Sequence, residues 1–198
     1  MSGADHEQAL RRMKAYISIG SNIAARVHVP EAVMRLGARL GPCRASTFYW
    51  NDPFDRSAQP RFLNGVLEVA AAEDAQALQF EVLRPIEAAL GRVRRADKSA
   101  SRPIDLDLIL YGDEVIATPD LTIPDPEIRR RPFLVLPLLE LCPALVLPGT
   151  GMRLASCRRP EWDGLLEPDE ELTQRIRSSL CAPHVTARAT AGKERNEP

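Results

Sequence analysis

The residues best equipped for chemistry lie between Gly91 and Tyr111, in the stretch GRVRRADKSASRPIDLDLILY. Arg92, Arg94, Arg95 and Arg102 lead into Asp105 and Asp107, which are set in an otherwise apolar run. Ile104, Leu106, Leu108, Ile109 and Leu110 mark that run as a strand covered on both faces. Alternate residues of a strand share a face, so the two carboxylates point the same way with Cβ atoms ~6.5–7 Å apart. An unpaired charge is expensive to bury, so either the arginines neutralise the pair or a cation does. Two carboxylates on one face can hold one or two Mg²⁺ ions, and cationic arms beside them can hold a polyphosphate against the metal. That is equipment for phosphoryl transfer. A structural Arg–Asp ion pair at a strand end is the alternative for this stretch alone.

The elements around it must bring that stretch to a cleft. Residues 14–19 (KAYISI) alternate like a strand, and Gly20-Ser21-Asn22 ends it, either as a plain turn or as backbone N–H groups and short side chains offered to a ligand. Pro30 opens a helix with Val33, Leu36 and Leu40 at helical spacing, which Gly41-Pro42 stops. Residues 45–50 read as a second strand, and 51–61 (NDPFDRSAQPR) as a polar, proline-punctuated loop able to close over a site. Residues 62–70 (FLNGVLEVA) form a third strand, with Asn64 and Glu68 on one face and Leu63, Leu67 and Val69 on the other. Asn64 suits either the reading of a ligand's donor–acceptor edge or a satisfied place in the core.

Asp74 caps a helix carrying Leu78, Val82, Ile86 and Leu90, which Pro85 breaks near Arg84, and Glu87 lies on its last turns. After the acidic strand, Gly112-Asp113 makes a hairpin-like turn into 114–116. Residues 129–131 form a basic knot before an apolar run that begins at Phe133 and that Pro137 limits; Val146 and Leu147 add a short strand. Residues 167–180 suit a surface helix with acids at its start and Arg175 and Arg177 near its end. The expected organisation is a polar leader over 1–13, one domain over 14–160, and an extension over 161–198 that is helical at first and disordered from 182. Strands interleaved with helices, some joined by hairpin-length connections, favour α+β over a doubly wound parallel sheet.

Composition narrows the function classes. A chain of 198 residues, 44% hydrophobic and 27% charged, fits one soluble domain plus tails. A formal net charge of −1 and a pI near 6.3 give no global field for nucleic acid or anionic membrane, and aromatics at 5% are too sparse for a base-stacking platform. Cys43, Cys142, Cys157 and Cys181 form no close pair and His6, His28 and His184 have no ligand spacing, which disfavours zinc or a disulfide framework and favours a reducing cytoplasm. No apolar segment is long enough to span a bilayer, and the polar start is not read as a signal peptide. A monomer without nucleic-acid or membrane partners is expected.

Five blocks in order carry a resemblance: YISIGSN, FYW…P…FLNGV, LGRVR, RPIDLDLILYG and LTIPDPEIRRRPFLVLPLLEL, spanning roughly residues 15–148. Through them the chain resembles the 6-hydroxymethyl-7,8-dihydropterin pyrophosphokinase family, folate-pathway enzymes that move pyrophosphate from ATP to a pterin alcohol. The resemblance implies a ferredoxin-like α+β core, an antiparallel or mixed sheet flanked by helices, with loops closing over two substrates. It implies that Asp105 and Asp107 bridge two Mg²⁺ ions, that Arg92 and Arg102 steady the triphosphate of ATP, and that Arg131 serves the nucleotide site. Phe62 and Phe133 match the aromatic pair that sandwiches the pterin, with Phe54 near them, and Asn64 matches the amide that reads its edge. Gly20, Ser21 and Asn22 match the turn lining the site, Gly20 on the pterin side and Asn22 on the ATP side. Glu87, Arg94, Lys98, Ile109, Thr122 and Asp125 fall at further ATP-side positions.

The departures sit on loops. Where the family usually has Trp-Gly-Pro-Arg, this chain has Ser99-Ala100-Ser101-Arg102, with Lys98 where an arginine is common, so a pocket-closing tryptophan is missing. The family's Ile-Pro-His-Pro is Ile123-Pro124-Asp125-Pro126, which puts an acid where a histidine contacts phosphate. That acid must bind metal, turn away, or pair with Arg129 or Arg130. Asn51-Asp52 stands in place of Thr-Pro. The implied reaction is in-line attack of the pterin's hydroxymethyl oxygen on the β-phosphorus of ATP, releasing AMP, with metal coordination in place of a general base. A paralogue acting on a modified pterin or another small alcohol, and a non-catalytic binding protein of the same fold, are the alternative expectations.

Overall fold

The computed structural model describes residues 12–54, 58–94 and 100–181. Most of the expected leader, the tail from 182, Arg95, Lys98 and Ser99 lie outside them. β1 (Met13–Ser21) is the axis of the sheet. On one side it pairs antiparallel with β4 (Phe62–Ala71), Gly20 opposite Asn64; on the other it pairs antiparallel with β5 (Asp105–Tyr111), Gly20 opposite Asp105 and Ser18 opposite Asp107. β3 (Tyr49–Asn51) and β8 (Glu167–Pro168) extend the far side of β4, giving the order β5-β1-β4-β3-β8, and β2 (Arg44–Ala45) also pairs with β4. The architecture is the expected α+β, an antiparallel sheet flanked by helices.

Period-two side chains divide between two cores. Ile17, Ile19, Leu63, Leu67, Leu106 and Leu108 pack against α1 (Ala25–Leu40), the helical run over 75–89 named α2, and α4 (Glu170–Cys181). Tyr16, Val66, Ile109 and Leu110 pack against α3 (Pro132–Leu141) and residues 145–162. A bulge in β5 lets this strand serve both: Leu108 faces Ile17, Leu110 faces Tyr16, and Ile109 is the extra residue between them. The carbonyl of Ile109 accepts the N–H of Asp125 at 3.0 Å, which docks the following segment on the strand. The second core covers only part of its sheet face. Beyond Val66 and Ile109 that face carries Ser18, Gly20, Phe62, Asn64, Asp105 and Asp107, all lining one cavity.

Several boundaries differ from expectation for local reasons. α1 begins at Ala25 and contains Pro30; the carbonyl of Arg26, which Pro30 cannot serve, lies 3.4 Å from Arg175 Nη2 of α4. The strand expected over 45–50 splits into β2 and β3. There Ser46 Oγ accepts the N–H of Val66 at 2.9 Å, and the buried Phe48 ring presses so close to Gly65 that a Cβ would stand 2.6 Å from it. α2 runs through Ala75–Ala77 (α), Leu78–Leu83 (π) and Arg84–Ala89 (α), capped by Asp74 Oδ1 on the N–H of Ala77 at 2.8 Å. The break expected near Arg84 is therefore a π segment, in which the N–H of Arg84 reaches Gln79 O and the wider turn accommodates Pro85. The turn at Gly112 does not fold back on β5; β6 (Ile116–Ala117) pairs with β7 (Thr122–Ile123) instead. Val146 makes an isolated bridge to Arg153 rather than a strand. The last helix starts at Glu170 rather than 167 and is the expected surface helix, seated through Leu172, Thr173 and Ile176 with its other face exposed. Among the described residues no helix is long and apolar enough to cross a membrane.

Candidate active site

β5 needs a partner for its outer edge, and α2 supplies one. Gln79 Oε1 accepts the N–H of Leu108 at 2.8 Å, and the buried carboxylate of Glu87 accepts the N–H of Leu106 at 2.9 Å. The strand that carries the two acids is thereby held on both sides. Glu87 also meets Arg94 Nη2 at 2.5 Å and Arg92 Nη1 at 3.3 Å. Burial pushes its carboxyl up, against the bond from Leu106 and the pull of the two arginines.

Asp105 is held from two directions. Arg92 Nη1 bonds Oδ1, and Arg102 Nη1 lies 2.5 Å from Oδ2. Arg92 also donates to Ile104 O at 2.9 Å. Asp107, on the same face, is pushed up to about 7 by dense protein surroundings and by the carboxylates of Asp105, Glu87 and Asp125, with Arg92 pulling the other way. Part of its side chain nonetheless opens to the cavity.

Asp125 takes neither Arg129 nor Arg130. Its carboxylate accepts the N–H of Glu127 at 2.7 Å and caps the 3₁₀ turn Pro126–Arg129, while Arg131 pairs with Glu127 at 2.6 Å. Burial nevertheless pushes the Asp125 carboxyl up.

One cavity, about 420 Å³, is lined by both aromatic and charged side chains. Phe62, Phe133, Phe54, Asn51 and Asn64 line it together with Arg102, Arg131, Asp105, Asp107 and Asp125. Arg131 stacks 3.9 Å above the Phe54 ring and lies 6.0 Å from that of Phe133, and Arg102 sits 5.9 Å from the Phe62 ring. Asn64 is oriented by Asn51, whose Oδ1 accepts its Nδ2 at 2.7 Å. Gly20 makes room for that amide, since a Cβ there would stand 2.6 Å from Asn64 Oδ1. Two further cavities meet the first at Asp107. One, about 360 Å³, is lined by Arg84, Arg94, Thr122 and Asp125. The other, about 610 Å³, is lined by Arg92, Arg94, Arg102 and Asp105.

Some expected residues also hold neighbouring parts of the site in place. Asn22 lies outside these three cavities. Its Oδ1 accepts the N–H of Arg102 at 2.7 Å and its N–H donates to Arg102 O at 3.2 Å, which staples the arginine to the turn after β1. Glu87 is an edge clamp beneath the arginines, and Ile109 lines the aromatic cavity rather than the arginine-lined ones. Lys98 lies outside the described residues. Sequence reasoning missed Gln79 and gave Asn51 no role; the first becomes visible only with the π segment, the second only with the register that puts β3 beside β4.

The donor set fits a divalent cation: two hard carboxylates share a face, and Asp107 is crowded by the carboxylates of Asp105, Glu87 and Asp125. Among the described residues no group of three or more His, Cys, Asp or Glu side chains is arranged to hold a metal, so further ligands would come from a bound phosphate or water.

Fold and site together define a protein that joins an aromatic slot and arginine-lined grooves at one pair of carboxylates. The chain belongs to the 7,8-dihydro-6-hydroxymethylpterin-pyrophosphokinase (HPPK) family, whose model matches residues 16–143. It is 36% identical over 152 residues to the folic acid synthesis protein fol1 of Pneumocystis carinii, covering 76% of this chain and 20% of that one. It is 34% identical over 139 residues to the 2-amino-4-hydroxy-6-hydroxymethyldihydropteridine pyrophosphokinase of Haemophilus influenzae (69% and 86% covered) and 35% identical over 134 residues to that of Aquifex aeolicus (67% and 82%). The chain thus spans a fifth of the fungal relative and more than four fifths of the two bacterial ones. A solved structure described as "Crystal Structure Analysis of the HPPK-DHPS in complex with substrates" shares the fold, with a TM-score of 0.54 over 74% of this chain and 43% of that one at 15% identity.

Proposed function

We propose that the chain transfers the pyrophosphoryl group of ATP to the hydroxymethyl oxygen of 6-hydroxymethyl-7,8-dihydropterin, releasing AMP, as a step of folate biosynthesis. The observation that carries this reading is the placement of Asp105 and Asp107 where the aromatic cavity meets the arginine-lined ones, in a chain of this family.

The pterin ring lies between Phe62 and Phe133, with its hydrogen-bonding edge on Asn64; stacking and a matched edge select a flat heterocycle over an open-chain alcohol. Arg92, Arg102 and Arg131 take phosphate oxygens, so Arg92 and Arg102 exchange the carboxylate of Asp105 for the triphosphate. Asp105 and Asp107 would hold Mg²⁺, which when bound neutralises phosphate charge and makes the hydroxyl a better nucleophile. The hydroxymethyl oxygen attacks the β-phosphorus, the bond between that phosphorus and the oxygen bridging to the α-phosphate breaks, AMP leaves with the electron pair, and the hydroxyl proton passes to solvent. Charge growing on the leaving oxygen is met by the arginines. The same reading takes the chain to work as a single copy in the cytoplasm, which sedimentation and thiol titration test.

A coupled assay for AMP with ATP, Mg²⁺ and the pterin alcohol tests the reading. Turnover that chelation removes and Mg²⁺ restores is expected; no AMP with wild-type protein that binds both substrates overturns it. A second reading, a paralogue taking a modified pterin, is favoured by Asp125 at the wall shared by two cavities. A panel of pterins in the same assay separates the two.

A further inference from the structure

The family match ends at residue 143, yet β8 adds a strand to the sheet that forms the aromatic cavity, and the segment after it packs on that sheet. β8 pairs with β3, Glu167 opposite Trp50 and Pro168 opposite Tyr49. On its other side β3 pairs with β4, Tyr49 opposite Asn64 and Asn51 opposite Phe62. Asp169 fastens this join. Its N–H donates to Phe48 O at 2.8 Å, and its Oδ2 lies 2.9 Å from both Trp50 Nε1 and Arg26 Nη2 of α1. Thr173 Oγ1 accepts the N–H of Phe48 at 2.9 Å, and Glu167 meets Arg61, the residue before Phe62, at 2.8 Å. Asp169 is only 5% exposed and stands outside the cavity that Asn51 and Asn64 line.

We infer that Asp169, with β8, is a positioning clamp for recognition of the heterocycle: it fixes β3, and through Asn51 it fixes the amide of Asn64 that reads the ring's edge. The inference rests on the function proposed above. A three-residue strand at the edge of a sheet has few ladder bonds and opens locally at small cost; a second strand and a buried carboxylate bonded on several sides remove that freedom. The clamp acts on the ring side alone. Asp105, Asp107 and Arg92 are held by β1, β5 and α2, which Asp169 does not touch.

The test uses the full-length chain with Asp169→Ala and Trp50→Phe, the second removing the indole donor while keeping a ring. The KM for the pterin should rise about tenfold in Asp169→Ala, with kcat and the KM for ATP unchanged, because an edge-reading amide is displaced while the phosphate site is not. The side-chain amide NMR signals of Asn51 and Asn64 should shift and broaden in both variants. A variant that melts earlier but keeps the wild-type pterin KM and those amide signals overturns the clamp, and so do KM values for pterin and ATP that rise together. If Asp169→Ala does not fold, Trp50→Phe carries the same readouts. Wild-type protein that neither binds nor converts the pterin overturns the function proposed above instead, and the amide signals alone then decide for or against the clamp.

Discussion

Arg102 Nη1 lies 2.5 Å from Asp105 Oδ2, and Arg92 takes the other oxygen of the same carboxylate, so the cations suited to a triphosphate and a donor suited to a metal neutralise one another. Releasing one arm should therefore move two affinities in opposite directions. Arg102→Ala is expected to weaken ATP binding by about 10- to 100-fold, the worth of a charge-assisted bond, and to tighten Mg²⁺ binding measured without nucleotide. Calorimetry of the two titrations checks this; ATP affinity equal to wild type counts against a phosphate role for Arg102.

Asp107 opens to the cavity where the three grooves meet. Asp107→Ala should lower the rate of AMP release at least about 100-fold, as loss of an electrostatic stabiliser of the transferring group does. Its carboxyl is crowded by like charges, so the variant is expected to melt no lower than wild type. Turnover retained in a folded Asp107→Ala protein removes the metal argument.

Gly20 has no side chain where a Cβ would come 2.6 Å from Asn64 Oδ1. Gly20→Ala should push the Asn64 amide off its partner Asn51 and raise the pterin KM about tenfold, with the KM for ATP unchanged. Equal effects on both substrates would show that the turn, rather than the amide, had moved.

Glu87→Ala removes a buried carboxylate that serves Arg92, Arg94 and the N–H of Leu106 together. Leaving that set without its acceptor should cost about 3 kcal/mol in a urea titration, with Glu87→Gln losing less because it keeps an acceptor for Leu106.

Asp169 links acid stability to the C-terminal helix. Burial raises its carboxyl, but the bonds from Trp50 and Leu172 and the charge of Arg26 outweigh that, and the folded pKa lies below the ordinary value. The folded protein therefore binds fewer protons than the unfolded chain. Its stabilisation is present above about pH 4, the unfolded carboxyl's range, and is lost as pH falls through the folded value. Tryptophan fluorescence followed from pH 6 to pH 2 should report this loss, and Asp169→Asn should flatten it.

What could be read from the chain alone is what repeats locally. Strand alternation put Asp105 and Asp107 on one face, as it did Asn64 and Glu68, because a pleat has a period of two whatever surrounds it. The cap at Asp74, the stop at Gly41 and the arginines preceding the acids were likewise local, and five blocks in register carried the family. What only the tertiary structure decided depends on groups distant in sequence finding one another. The bulge at Ile109 follows from two cores competing for one strand, and the π segment that brings Gln79 and Glu87 to the edge of β5 follows from where Pro85 and that edge meet. The capping role of Asp125, the pairing of Asn51 with Asn64, and the choice of where the last helix seats its Leu172–Ile176 face all rest on partners that no local period encodes. A hydrogen bond needs its acceptor in place, and that place is set by the packing of the whole sheet.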